Sequence, residues 1–222
     1  MDEKAKKSKR YSLTHLDPEW REKIFASVQS ERLKLAIAIL SASGCRPSEL
    51  ERGAIVRLKD GQLQIGIQGS KVDIVTKRGQ RSRLLVVDDT SPWGNHLKQH
   101  AAECSENQWL NVSYDAGGIS QRLREKSREI WPRRKTLVSA YTYRHFIGKS
   151  MKESGESVEK IAFTLGHASD FSQMAYGRAG SGKKTVGQHG ILAAGATDPV
   201  RHSPKTDRLQ HLNRLNRRLQ NA

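Results

Sequence analysis

The sequence predicts a mainly helical α+β domain with one small antiparallel sheet set early in the chain. Two observations carry this prediction. Apolar residues recur at helical spacing before residue 53 and after residue 92, and over residues 62–87 they alternate with polar ones. Turn chemistry then divides the alternating stretch, with Gly69-Ser70-Lys71 and Arg78-Gly79-Gln80 marking reversals.

Taken in order, residues 1–11 form a basic N-terminal arm without apolar periodicity. Asp17-Pro18-Glu19 predicts a helix start, with Asp as cap and Pro at the first helical position, and turns Trp20, Ile24 and Val28 inward. Ser30 opens a second helix through Leu33, Ile37 and Leu40 that stops at Gly44, and Pro47 opens a short third one to Arg52. Three strands are predicted at 62–68, 72–76 and 82–87, forming a meander. Helices follow at about 94–102, 119–130 (stopped by Pro132), 142–153 and 157–165, the last capped by Ser157. Beyond Tyr176, residues 181–222 are expected to hold a flexible basic, glycine-rich loop. After it, Asp207 caps an amphipathic helix with Leu209, Leu212, Leu215 and Leu219 on one face.

The 222 residues make one large domain or two small ones, and 36% hydrophobic residues supply one core. The longest apolar run, Leu35 to Leu40, is far short of the ~18 residues of a membrane span. The first residues hold no apolar stretch of a secretory signal. Cys45 and Cys104 cannot build a disulfide framework, and neither has a second Cys or a His at ligand spacing. A reducing, cytoplasmic location is expected. Thirty-nine Lys and Arg against 23 Asp and Glu leave a net charge of +16, which attracts a polyanion whatever its sequence.

Gly177-Arg-Ala-Gly-Ser-Gly182-Lys183-Lys184 comes close to a phosphate-cradling loop. Lys184 stands where that motif needs a hydroxyl, and no strand precedes it, so no nucleotide is expected. The stronger constellation is spread out: Arg46 in Gly44-Cys-Arg-Pro-Ser-Glu-Leu50, Arg144 in Tyr141-Thr-Tyr-Arg-His145, His167 in Leu165-Gly-His, and Tyr176 nine residues on. Two arginines can fork onto phosphate oxygens and offset the charge of a phosphoryl-transfer transition state. A tyrosine can attack phosphorus and hold the phosphoryl group covalently, and a lysine on a hairpin can protonate the leaving oxygen.

These segments, from about Leu33 to Arg178, resemble the tyrosine recombinases, the phage-integrase-like family of site-specific DNA recombinases. The first segment resembles the family's first-arginine motif, with Glu49 supporting Arg46. Thr76-Lys-Arg-Gly-Gln-Arg-Ser-Arg-Leu84 resembles the hairpin with the catalytic lysine, Tyr141 to Arg144 the H-x-x-R box, and Leu165 to Tyr176 the L-G-H…Y box. The resemblance implies a catalytic domain over residues 12–180 in which Tyr176 is the nucleophile. Arg46, Arg144 and His167 clamp the transition state, Lys77 is the general acid, and Lys71 competes for that role. Tyr141 stands where the family usually has His, and a phenol is a poorer proton acceptor at neutral pH. The family also carries a helical core-binding domain before this half, and here only some thirty residues precede the first matched helix. The function implied is strand breakage and rejoining through a 3′-phosphotyrosine without cofactor or metal. Double-stranded DNA is the partner, tetramers form on it, and no membrane takes part. A type IB topoisomerase, a telomere resolvase and a non-catalytic DNA-binding protein on the same scaffold are the alternatives.

Overall fold

The computed structural model describes residues 12–73, 75–76, 78–104, 109–172 and 188–208. Helices α1 (Trp20–Ala26), α2 (Glu31–Ser43) and α3 (Pro47–Arg52) lead into strands β1 (Ala54–Lys59), β2 (Gln62–Gln68) and β3 (Ser82–Val87). Then come α4 (Pro92–Ala102), β4 (Leu110–Val112), α5 (Ala116–Ile130), α6 (Ala140–Glu153), α7 (Val158–Leu165) and β5 (Ile191–Ala196).

Three helices begin with a side-chain cap: Ser91 accepts from the Gly94 N–H, Asp115 from Gly118 and Ser157 from Lys160, each satisfying an orphan donor of a first turn. Helix α1 starts later than expected, at Trp20 with Glu19 as its N-cap, because Asp17 Oδ1 takes the Glu19 N–H at 2.9 Å in the turn before it. Ser30 precedes α2 without a side-chain cap bond. Helix α2 is buried on nearly every side, with Ile37, Ala38, Ile39 and Leu40 fully enclosed, so it is the central element rather than a surface one. Trp20, Ile24 and Val28 face inward as expected, and Trp20 meets Tyr143 of α6 edge-on at 4.6 Å.

The sheet departs from the expected meander. It has five antiparallel strands in the order β4-β1-β2-β3-β5. Strand β2 pairs directly with β3, from Leu63 opposite Val87 to Gln68 opposite Ser82. The predicted middle strand, 72–76, is instead part of the tongue between them. Asp73 Oδ1 accepts from the Val75 and Thr76 N–H groups at 2.9 and 3.0 Å, so a local turn takes the donors a ladder would need. Strand β1 is not among the expected strands, although Asp60-Gly61 follows it. Both residues have positive φ, 51° and 73°, as a two-residue hairpin turn requires. Strand β5 falls in the region read as loop, because Ile191-Leu-Ala-Ala-Gly-Ala196 has little strand propensity. Pairing with β3 and burial of Ile191 hold it. Residues 204–208 are already helical, so Asp207 lies inside that segment rather than capping it. The basic arm, the Gly177–Lys184 loop and the leucine stripe from Leu209 lie outside the described residues.

Candidate active site

The end of α2 fixes the first arginine. Gly44 has φ +60°, and a Cβ there would lie 3.2 Å from the Arg144 Cα and from the Ile147 side chain. Glycine therefore allows both the left-handed turn and the close approach of α2 to α6. Arg46 follows in extended conformation at the head of α3. Glu49, one turn into α3, accepts from the Arg46 N–H at 2.8 Å and from Arg46 Nη1 at 2.5 Å. The oxygen that takes the Arg46 N–H, Oε2, also accepts from Arg83 Nη2 of β3 at 2.7 Å, and the Glu49 and Arg83 side chains are fully buried.

Arg144 comes from the face of α6 that packs on this cluster. It donates Nη1 to the Gly44 carbonyl at 3.1 Å and Nη2 to the Leu165 carbonyl, and Nη2 lies 3.1 Å from His167 Nε2. A guanidinium only donates, so Nε2 is the acceptor and a neutral ring carries its proton on Nδ1. Burial, then the charges of Arg144, Arg46 and Arg83, hold His167 well below the ordinary imidazole range, so the ring is neutral at pH 7. Burial also pushes the Glu49 carboxyl up, but Arg83, Arg144 and Arg46 outweigh it and keep Glu49 ionised far below the usual carboxylate range. Burial and the nearby Arg144 charge lower Arg46, whose side chain is still 13% exposed.

Arg46 and His167 open onto a cleft of about 400 Å³ that is also lined by Lys71, Arg78, Ser169, Ser172 and Arg201. Its walls come from four places: the head of α3, the tongue between β2 and β3, the loop after α7 and the segment after β5. Gly69 and Gly79 shape the tongue, since a Cβ on either would lie about 2 Å from a backbone oxygen of the opposite limb (1.9 Å to Gln80 O, 2.1 Å to Lys71 O). Gln80 ties the tongue to the histidine loop, donating Nε2 to the His167 carbonyl at 3.1 Å. Gly166, with φ +63°, leaves room for Arg83 Nη1, which a Cβ would approach to 2.8 Å.

Of the residues the sequence singled out, Arg46, Arg144 and His167 are brought together. Tyr141 lies three residues before Arg144 on α6, half-buried, and does not line the cleft. Lys77 and Tyr176 lie outside the described residues; Thr76, Arg78 and Ser172, which flank them in sequence, line the cleft.

Two residues of this site were not assigned to it from sequence. Arg83 is the buried counter-ion of Glu49, and the signal was present: it occupies the same phase of β3 as Leu85 and Val87, which face the core. Arg201 had no local signal. It reaches the cleft because its backbone is bridged to the histidine loop, Arg201 N to Ala168 O at 2.9 Å and Asp170 N to Arg201 O at 3.1 Å. Buried Asp170 fastens the same segment, accepting from the Ser203 N–H and Thr206 Oγ1, each at 2.9 Å.

A helical domain that gathers two arginines and a histidine beside a five-stranded antiparallel sheet, at the mouth of a basic cleft, has the fold of a tyrosine-recombinase catalytic domain. Among solved structures, XerA recombinase matches with a TM-score of 0.53 at 19% identity, over 72% of this chain and 58% of that one. The XerH site-specific recombinase matches in two states bound to its difH substrate. The pre-cleavage complex has a TM-score of 0.51 at 20% identity, and the post-cleavage complex 0.52 at 19%. Each of these covers 73% of this chain and 49% of XerH, so the chain spans about half the length of the structures it resembles. No protein-family model and no curated protein matches the sequence. Among the described residues no helix is long and apolar enough to cross a membrane.

Proposed function

We propose that the chain is the catalytic part of a site-specific DNA recombinase, breaking and rejoining strands through a covalent phosphotyrosine. The observation that carries this reading is the charge balance of the hydrogen-bonded cluster at the base of the cleft. Arg46, Arg83 and Arg144 contribute three positive charges and Glu49 one negative, leaving two, while His167 is neutral. A phosphodiester bears one negative charge, and its five-coordinate transition state bears a second. A site with two net positive charges held in place by buried hydrogen bonds therefore favours the transition state over the ground state.

In this reading the Tyr176 Oη attacks phosphorus as the bond to the 5′-oxygen breaks. The phenol proton passes to a base, and a lysine of the tongue protonates the departing 5′-oxygen. Arg46 and the His167 Nδ1–H donate to the non-bridging oxygens. Arg144, 1% exposed, acts through others by fixing His167 and the carbonyls of Gly44 and Leu165. Lys71, Arg78 and Arg201 extend the positive surface along the flanking backbone.

The test is covalent trapping on a library of nicked random duplexes. The wild-type chain should give a denaturation-resistant adduct that maps to Tyr176, and Tyr176→Phe should bind DNA equally while giving none. An adduct retained in the Phe variant would remove Tyr176 from the role. A wild type that binds the duplexes but never forms an adduct would leave a DNA-binding protein on this scaffold.

A further inference from the structure

At the end of α2 away from Arg46, three side chains with metal-ligand chemistry converge. His96 and His100 stand one helical turn apart on α4, and Glu31 is the first residue of α2. Glu31 Oε1 lies 2.6 Å from His96 Nε2 and 2.9 Å from His100 Nε2, and the two rings meet edge-on at 4.7 Å between centroids. Residues i and i+4 of a helix share a face, so both imidazoles reach one point beside it, and α2 brings the carboxylate to the same point.

We infer that Glu31, His96 and His100 form a binding site for a divalent transition-metal ion of the zinc type. Hydrogen bonding alone does not account for the arrangement. His96 Nε2 is buried and lies 2.6 Å from the carboxylate oxygen, yet it has no hydrogen bond, because the contact is not aligned for one. A buried imidazole nitrogen held against a carboxylate oxygen, with a second imidazole nitrogen 2.9 Å from the same oxygen, offers the donor set of an ion. Phe25 packs edge-on against His96 at 5.5 Å and fixes its ring. The ligand set, two imidazoles and one carboxylate, suits zinc, cobalt or nickel rather than magnesium or calcium, which take oxygen donors. Ligands on tetrahedral zinc stand about 3.3 Å apart, so the carboxylate must retreat by roughly half an ångström. Glu31 is 54% exposed and can do so by rotating. Three protein ligands leave the fourth position to water. An ion held there would staple the start of α2 to α4, on the helix whose other end sets Arg46.

The experiment is titration of the purified full chain with Co²⁺, followed by its visible d–d absorption, with Zn²⁺ then added in competition. One Co²⁺ per chain should bind with an intense tetrahedral-type spectrum, and Zn²⁺ should displace it and raise the melting temperature of the wild type. His100→Ala should abolish that spectrum. Glu31→Gln, at an exposed position, should weaken binding at least tenfold and reduce the Zn²⁺ shift in melting temperature. His202→Ala should bind as wild type. Should His100→Ala fail to fold, the Glu31→Gln comparison decides alone. Equal Co²⁺ affinity in wild type and Glu31→Gln, or no stoichiometric binding in either, would overturn the site. The outcome does not depend on whether the chain recombines DNA.

Discussion

Glu49 and Arg83 form a fully buried ion pair, 2.7 Å from Oε2 to Nη2, that ties α3 to β3 beneath the cleft. The same carboxylate holds Arg46 through its other oxygen. One acidic side chain therefore sets the distance between a helix head and a strand, and it orients the arginine that faces the cleft.

Removing its charge should be costly. Glu49→Gln keeps the shape but leaves Arg83 buried without a counter-ion, which should destabilise the fold by about 3–5 kcal/mol. Urea unfolding measures this directly. A loss under about 1 kcal/mol would mean that water or a second partner compensates Arg83, and the carboxylate would then be a local contact only.

Stability should fall on mild acidification. His167 has a folded pKa well below its unfolded value of about 6.5, so unfolding takes up a proton once the pH drops below that value. The contribution is fully present above about pH 6.5 and is lost as pH falls, at up to about 1.4 kcal/mol per unit for one proton. His189, lowered by burial, acts in the same sense. His202 acts in the opposite sense, raised by hydrogen bonds to Asp207 and Asp170. Glu49 extends the loss below about pH 4.5, its folded carboxyl being held far under that value. Comparing His167→Gln with wild type isolates the first step: the variant's stability should be flatter between about pH 5 and 6.5. An unchanged slope would show that His167 is not the group that titrates.

Two lysines of the tongue compete for the leaving group. Lys71 lines the cleft, and Lys77 sits between Thr76 and Arg78, which also line it. The alanine variant of the true general acid should cleave normal DNA at least a hundredfold more slowly and be rescued by a 5′-thiol leaving group, which needs no proton. Rescue of Lys71→Ala but not of Lys77→Ala would transfer the role to Lys71.

Arg201 should report phosphate contact without chemistry. Its backbone carries the bridge to the histidine loop, so Arg201→Gln should fold normally. In the proposed complex it should weaken DNA binding about equally for all sequences and lower the salt dependence by about one phosphate. A variant whose affinity and salt slope match wild type would place Arg201 outside the DNA path.

Much of the site was legible before any coordinates. Arg46 and His167 each follow a helix that ends at a glycine, Gly44 and Gly166, whereas Arg144 lies in the second turn of α6 and is marked only by the residues around it. The reading failed at the sheet, where Val72 to Thr76 alternates like a strand but Asp73 diverts its donors into a turn. It failed again at Ile191 to Ala196, whose mostly small side chains carry no strand signal and which is held by pairing with β3 and by packing of Ile191 into the core.

By itself the sequence determined the charge, the presence and approximate place of most helices and the order of the chemical residues, because caps, glycines and periodicity act within a few residues of chain. Tertiary structure decided that Arg83 is the counter-ion of Glu49, 34 residues away. It also decided that Arg201 reaches the same cleft as Arg46 and that Glu31 meets His96 and His100. Such pairings depend on which faces of distant elements are buried together. Burial raises the cost of an unpaired charge only once the core has closed around it.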